Sequence, residues 1–449
     1  MESAPKPRVL IAGGSISGQF LAVALQSANI DFLVLERGPE IGPQLGASVG
    51  CHPHGNSIFD QLGLYEAVVA PSTPLAHAQA FDNRGNVVES DITVISEHPA
   101  RFGYPAVFIQ RCDFITAMYN KVRDKSKVLV NKAIVDYIED DEGITVYTSD
   151  GSNYRGTILI GADGIHSTVR GLMKKKAEEA EPGSGTKLET TNNGKPGFLT
   201  EYKCLFCISR TNDKECPMPA GESYWTYGRD NSTTAVSGQP GLFFWFLWTR
   251  TDPVQGIRSP RYTEKDAEEF VQQWSNRKMC GDWTIRDAWN ARVRGTLVSQ
   301  EEGIIDQWSR GRVVMVGDAI HKMSVNAGLG AMCAVEGIVH LINELYPILS
   351  PNSTDERHGG SPSQDTLDKA FQAYRTKHLK RLTRIYNLSC QAVRFEGQRT
   401  LLSRIVANYV LPWCSNAARL WVFKGVLGGQ PMLNHLPRDM SKPINKIQA

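Results

Sequence analysis

A glycine-rich turn set between two buried strands constrains this chain more than any other feature. Gly13-Gly-Ser-Ile-Ser-Gly18 follows the apolar run Arg8–Ala12 and precedes a helix-forming stretch, Gln19–Ser27, and a second apolar run, Asp31–Glu36. Strand, turn, helix and strand within roughly 30 residues make a βαβ unit, and such a unit requires a parallel sheet. The turn fits G-x-G-x-x-G with Ser15 at the second glycine position. Its first glycine makes the tight turn and its last lets helix approach strand. The helix start then offers N–H groups and a positive dipole end to a pyrophosphate. Glu36 stands eighteen residues after Gly18, where an acid accepts hydrogen bonds from a ribose 2′-OH. An acid there repels a 2′-phosphate. Gly13, Gly14, Ser15, Gly18 and Glu36 therefore favour FAD or NAD over NADP.

Two further motifs serve the same ligand. Gly161-Ala-Asp163-Gly164 and Gly317-Asp318 each follow an apolar strand, Thr157–Ile160 and Arg312–Val316. All three loops thus belong at the carboxyl ends of sheet strands, where open α/β sheets hold ligands. Asp318 can accept hydrogen bonds from a polyol chain. Gly328-Leu-Gly330 precedes the next helix, so its N–H groups and dipole can face a flavin pyrimidine. Arg111, ahead of the helix Cys112–Val122, can reach phosphate or flavin.

With this trio the chain resembles the class A FAD-dependent monooxygenases of the para-hydroxybenzoate hydroxylase type, from about Val9 to Leu345. Gly46–Gly50, Pro53, Gly55 and Asp60–Tyr65 look like its fungal branch, which epoxidises prenylated intermediates of meroterpenoid and indole-diterpene pathways. Gly221–Tyr227 and Phe244–Leu247 are similar to that branch's substrate-domain strands. The resemblance implies that Glu36 binds the adenosine ribose, Gly50 and Arg111 contact FAD, Asp318 holds the ribityl chain, and Ala331 lies where the next helix meets the flavin. It also implies a catalytic or positioning tyrosine, matched to Tyr227 first and Tyr224 second, and reduction by NADPH followed by transfer of one oxygen atom from O₂. No second glycine-rich fingerprint follows Gly18, so NADPH would visit the flavin transiently. Val325 departs from the proline usual in the family, and Ala331-Met-Cys333 from a small or Asn-containing stretch. Hydroxylation of an aromatic ring, insertion beside a ketone and a non-redox carrier role are the competing readings.

The expected fold class is α/β: a Rossmann-like FAD-binding domain with a parallel sheet, a smaller antiparallel-sheet substrate domain, and C-terminal helices. Residues 1–75, 105–172 and 283–345 form the first, residues 76–104 and 173–282 the second, and residues 346–449 the helical region. The 449 residues carry 49 basic and 47 acidic side chains, which leaves no electrostatic footprint for nucleic acid. Nine dispersed cysteines, with no signal-peptide core after Met1, point to an intracellular protein with reduced thiols. Cys204 and Cys207 are spaced as a metal or redox pair, but their segment reads as a strand, where residues three apart face opposite sides. No metal site is expected. His52 and His54 are either a proton shuttle or inert loop histidines. No stretch reaches the ~18 uncharged apolar residues of a membrane span, although the C-terminal region can touch a membrane surface.

Overall fold

Val9, Leu10 and Ile11 are fully buried, as a strand covered on both faces of a parallel sheet must be. The computed structural model describes residues 7–44, 46, 48–210, 218–256, 259–280, 282–351 and 361–437. In it Arg8–Ala12 lies between Asp31–Leu35 and Ile158–Gly161, parallel to both. Val313–Met315 pairs with the far side of Ile158–Gly161, again parallel. The strands leading into the three motifs are therefore neighbours in one six-stranded sheet, closed by Val128–Leu129 at one edge and an antiparallel Ser309–Arg310 at the other. The helix Ile16–Ser27 packs on this sheet and against the helix Gly330–Leu349.

A second sheet of eight strands stands beside the first. Its order is His321–Lys322, Arg292–Ile304, Phe198–Arg210, Leu242–Gly256, Asn231–Ser237, Glu222–Gly228, His77–Phe81, Val87–Ile92. Pairings are antiparallel except that between Glu222–Gly228 and His77–Phe81. Strand alternation gives the sheet two apolar faces. One carries Leu205, Cys207, Phe243, Trp245 and Leu247 against Phe270 and Val271 of the helix Glu264–Trp274. The other carries Tyr202, Cys204, Phe244, Phe246 and Trp248, packed with Phe108, Val325 and Val393. Cys204 and Cys207 thus belong to opposite faces, as the strand reading of that segment requires.

One expected boundary needs correction. Arg292–Ile304 pairs along its length with Phe198–Arg210, so this stretch belongs to the eight-stranded sheet and not to the nucleotide-binding unit. Pro53–Gln61 and Tyr65–Val69 are separate helices, divided where Gly63 adopts φ +62°. Gly330–Leu349 is long and apolar enough to cross a membrane, but 67% of its most apolar window is buried inside the fold. Its Glu336 is fully buried and held bidentately by Arg381, which ties it to the helix Gln364–Glu396. That 33-residue helix runs from the six-stranded sheet, where Tyr374 meets Trp308, to the eight-stranded one, where Phe395 meets Tyr227.

Candidate active site

The glycine turn is shaped by contacts that leave no room for side chains. A Cβ on Gly18 would overlap the Gly13 carbonyl oxygen. Gly13 itself, at φ +98°, would place a Cβ 2.8 Å from the Ala162 carbonyl oxygen, and Gly14 one 2.7 Å from the Ile41 Cδ1. A Cβ on Gly317, at φ +58°, would run into the Ser17 side chain. The three motif loops are therefore not merely on the same side of the sheet; they touch.

Electrostatics mark what the crevice between them accepts. The Ser15 side chain does not cap the helix Ile16–Ser27, and no acid stands in its first turn, so the positive helix end is left uncompensated. The Arg111 guanidinium donates to the Ser15 Oγ at 2.7 Å and adds a second positive feature at the same mouth. Burial lowers its pKa, while Asp318 and Glu36 oppose that shift. A helix start and a guanidinium facing one space suit a pyrophosphate. Glu36 closes the rim: its Oε2 accepts from the Gly14 N–H at 2.5 Å and its Oε1 from the Gly38 N–H at 2.7 Å. The carboxylate is fixed where a ribose would meet it.

The DG loop works differently. Asp163 accepts from the Ser167 hydroxyl at 2.6 Å and the Val169 N–H at 3.1 Å, so its carboxylate organises the start of the helix Thr168–Ala180. Gly164 sits at φ +82° with open space around it. Asp318, half-buried, forms an ion pair with Lys322. Burial opposes ionisation, but Lys322, His321 and Arg111 outweigh it and hold the Asp318 carboxyl below its ordinary range. Lys322 belongs to the site although it carries no motif; its spacing of four from Asp318 is the only sequence hint.

Gly328, Gly330 and Ala331 lie at the start of the helix Gly330–Leu349, whose first turn has neither a capping side chain nor an acid. Gly50 approaches them closely: a Cβ there would lie 3.3 Å from the Gly328 carbonyl oxygen and 3.1 Å from the Phe108 Cζ. His52 is part of the same packing, with its Nε2 3.0 Å from where a Gly328 Cβ would be, and it stacks on His54 with centroids 6.0 Å apart. Burial lowers the His52 pKa to about 4 and holds His54 well below its ordinary range. Both rings are therefore neutral at pH 7. Met332 fills the hollow over Gly55.

Opposite Val325 lies the aromatic face of the eight-stranded sheet. Cross-strand register aligns Trp225, Thr234, Phe246 and Phe206 in one row and Tyr227, Ser232, Trp248 and Cys204 in the next. Tyr227 is buried on this face, and desolvation raises its pKa well above the ordinary phenol range. Its hydroxyl stays protonated at any physiological pH. Tyr224, three residues earlier, points to the opposite face and packs edge-on to Phe81 at 5.7 Å in the other core. Strand geometry therefore separates the two tyrosines, and only Tyr227 shares a face with the crevice. A cavity of about 610 Å³ lined by His166, Arg170, Lys174 and Arg261 lies on the outer side of the DG loop, away from this crevice. Among the described residues His321, Cys333 and His378 bring one potential metal-ligating atom each within 4.8 Å of one another, buried between the two long helices behind the GD loop.

The chain matches a family described as "FAD binding domain" over residues 6–359. It is 35% identical over 408 residues to the FAD-dependent monooxygenase olcE of Penicillium canescens, covering 90% of this chain and 84% of that protein. The FAD-dependent monooxygenase spyC of Aspergillus fumigatus is 34% identical over 422 residues, covering 93% and 86%. In fold the chain is similar to Klebsiella pneumoniae HpxO, solved with FAD and uric acid, at a TM-score of 0.71 and 19% identity over 94% of this chain and 98% of that one. It is also similar to 2,6-dihydroxypyridine-3-hydroxylase of Arthrobacter nicotinovorans, at a TM-score of 0.66 and 17% identity over 89% and 95%. Glycine turn, DG and GD loops, and an aromatic sheet across the crevice are the parts such an enzyme needs, and the chain belongs to the class A FAD-dependent monooxygenases.

Proposed function

We propose that the enzyme uses NADPH and O₂ to place one oxygen atom on a bulky apolar, prenylated secondary-metabolite intermediate, forming an epoxide at a prenyl alkene. The supporting observation is the crevice wall itself. Phe108, Phe206, Phe246 and Val325 pack as one apolar cluster on the sheet face, with Trp225 in the same cross-strand row as Phe246 and Phe108 beside Gly328, an apolar lining that fits a terpenoid chain better than a polar ring. Bound FAD would supply the oxygen-activating chemistry. Gly13, Gly14, Ser15, Gly18, Glu36 and Arg111 would hold its nucleotide half, and Gly50, Asp318, Gly328, Gly330 and Ala331 its flavin half. The protein's share is to orient the alkene and keep water out, which the packed aromatic wall is built to do. Tyr227, protonated and fixed in that wall, serves as a hydrogen-bond donor.

An apolar substrate partitions into membranes, and the C-terminal surface suits such a source. Leu401, Leu402, Tyr409, Trp413 and Trp421 are all more than two-thirds exposed. From Gly397 to Leu427 there is no acidic residue, while Arg404 and Lys424 are present. Exposed tryptophans and leucines among cations are the composition of a surface that settles into an anionic membrane interface. The enzyme works inside the cell, peripherally attached to an internal membrane. Incubation of the FAD-loaded protein with NADPH and a panel of prenylated aromatics, read by product mass and NMR, tests the reading. Epoxide products support it; ring hydroxylation or ring expansion of a ketone replaces it.

A further inference from the structure

One polar group interrupts the aromatic crevice. Glu396, at the end of the helix Gln364–Glu396, reaches between the flavin-side loop and the eight-stranded sheet. Its Oε2 accepts from the Asn326 Nδ2 at 2.6 Å and from the Ser232 hydroxyl at 3.3 Å. Asn326 adjoins Val325, and Ser232 is the cross-strand partner of Tyr227. Ser324 fixes Asn326 in turn, donating to its Oδ1 at 2.7 Å. Both donors converge on one carboxyl oxygen. The other, Oε1, receives no hydrogen bond among the described residues, and the residue is only half-buried.

We propose that Glu396 is the polar anchor of the crevice: its Oε1, as a hydroxyl, donates a hydrogen bond to an acceptor oxygen at the ring or ketone end of the otherwise apolar substrate. Geometry sets the polarity. With two donors already on Oε2, a proton on this carboxyl resides on Oε1, the oxygen with no partner. Burial pushes the group up to about 7, with the bonds from Asn326 and Ser232 opposing. Tyr227 is the titratable group whose electrostatics it shares; Glu89 and Arg419, which pair with each other, act on Tyr227, and Arg394, two residues earlier on the same helix, is held by Glu201 and Glu302. Those ionic groups are matched among themselves, so burial decides the protonation of Glu396. The substrate class follows: a terpenoid chain ending in a carbonyl or similar acceptor, gripped by the neutral enzyme. This rests on the epoxidase reading for the chain's apolar part and adds the recognition of its polar end.

The test uses two probes with the FAD-loaded protein, a farnesylated aryl ketone and the same compound with its carbonyl reduced to CH₂. Binding is followed by the change in flavin absorbance at pH 6 and pH 8. The wild type should favour the ketone about tenfold at pH 6, as one hydrogen bond allows, and lose that preference at pH 8 as the carboxyl ionises. Glu396→Gln, whose amide donates at every pH, should keep the preference at both. Glu396→Val should erase it at both, with flavin content unchanged. Failure of the wild type to bind either probe or to distinguish them at pH 6, or an unchanged pH dependence in Glu396→Gln, overturns the proposal. Oxygenation without carbonyl discrimination leaves the epoxidase reading standing and removes only the anchor; carbonyl discrimination without an epoxide does the reverse.

Discussion

Gly18→Ala is the substitution for which the structure gives the sharpest expectation. The added methyl would overlap the Gly13 carbonyl oxygen, an atom of the backbone and not the end of a flexible side chain. Gly13 cannot retreat easily. Its N–H is bonded to the Leu35 carbonyl at 2.9 Å, and its α-carbon already faces the Ala162 carbonyl with no room for a methyl between them. Overpacking a rigid site costs about 1–3 kcal/mol, and a backbone obstacle puts this case near the upper end. If the strain falls on the cradle, about 3 kcal/mol weakens FAD binding by roughly a hundredfold. If it falls on the fold, the apoprotein melts at a lower temperature. Gly164→Ala is the matched control for the fold: φ is +82° but no protein atom lies within 4 Å of the new methyl, so in the apoprotein only the left-handed conformation, about 1 kcal/mol, opposes it. Flavin fluorescence titration and thermal unfolding of both variants separate the two costs. A Gly18→Ala protein with wild-type FAD affinity and melting temperature would refute the steric argument.

Tyr227→Phe should lower turnover while leaving FAD affinity intact, measured by steady-state NADPH oxidation and flavin titration; wild-type kinetics would remove the hydroxyl from the mechanism. Glu336→Gln leaves the Arg381 guanidinium without its charge partner in a fully buried site, and breaking such a pair costs about 3–5 kcal/mol, read as a shift in the urea midpoint. Arg381 still bonds the Val426 and Gly428 carbonyls, which places the loss at the low end of that range. Hydrogen bonding to Glu222, aided by Asp91, raises the His77 pKa. The stability this adds is fully present below the unfolded value of about 6.5 and is lost as pH rises through the higher folded value. The melting temperatures of wild type and His77→Gln should therefore converge as pH rises from below about 6.5; a constant gap would contradict the assignment. Replacing Trp413 and Trp421 together by Glu should abolish flotation with anionic vesicles without changing flavin content.

The nucleotide-binding half of the fold was legible because its constraints are local. Gly13, Gly18 and Glu36 are tied by contacts within one βαβ unit, so their spacing carries the geometry. The DG motif was legible as a position but not as a role: Asp163 is spent on its own helix start, which spacing alone cannot distinguish from a ligand contact. Tyr224 and Tyr227 could be told apart only with the sheet in hand. Once Glu222–Gly228 is a strand, period-two alternation sends them to opposite cores. Arg292–Ile304 was misassigned because its partner, Phe198–Arg210, lies far back in the chain, and long-range antiparallel pairing leaves no periodic mark. Glu396 was invisible for a related reason. It reaches the crevice from the C-terminal helix, and its neighbours Asn326 and Ser232 come from two other elements.

Turnover under ¹⁸O₂ with a prenylated aromatic substrate, NADPH and the FAD-loaded enzyme bears most directly on the reaction. One labelled oxygen in the product, bridging two former alkene carbons, is the outcome expected from an aromatic crevice facing the Gly328–Ala331 turn. A product oxidised without label, or none at all while NADPH is consumed at a rate indifferent to the substrate, would contradict it.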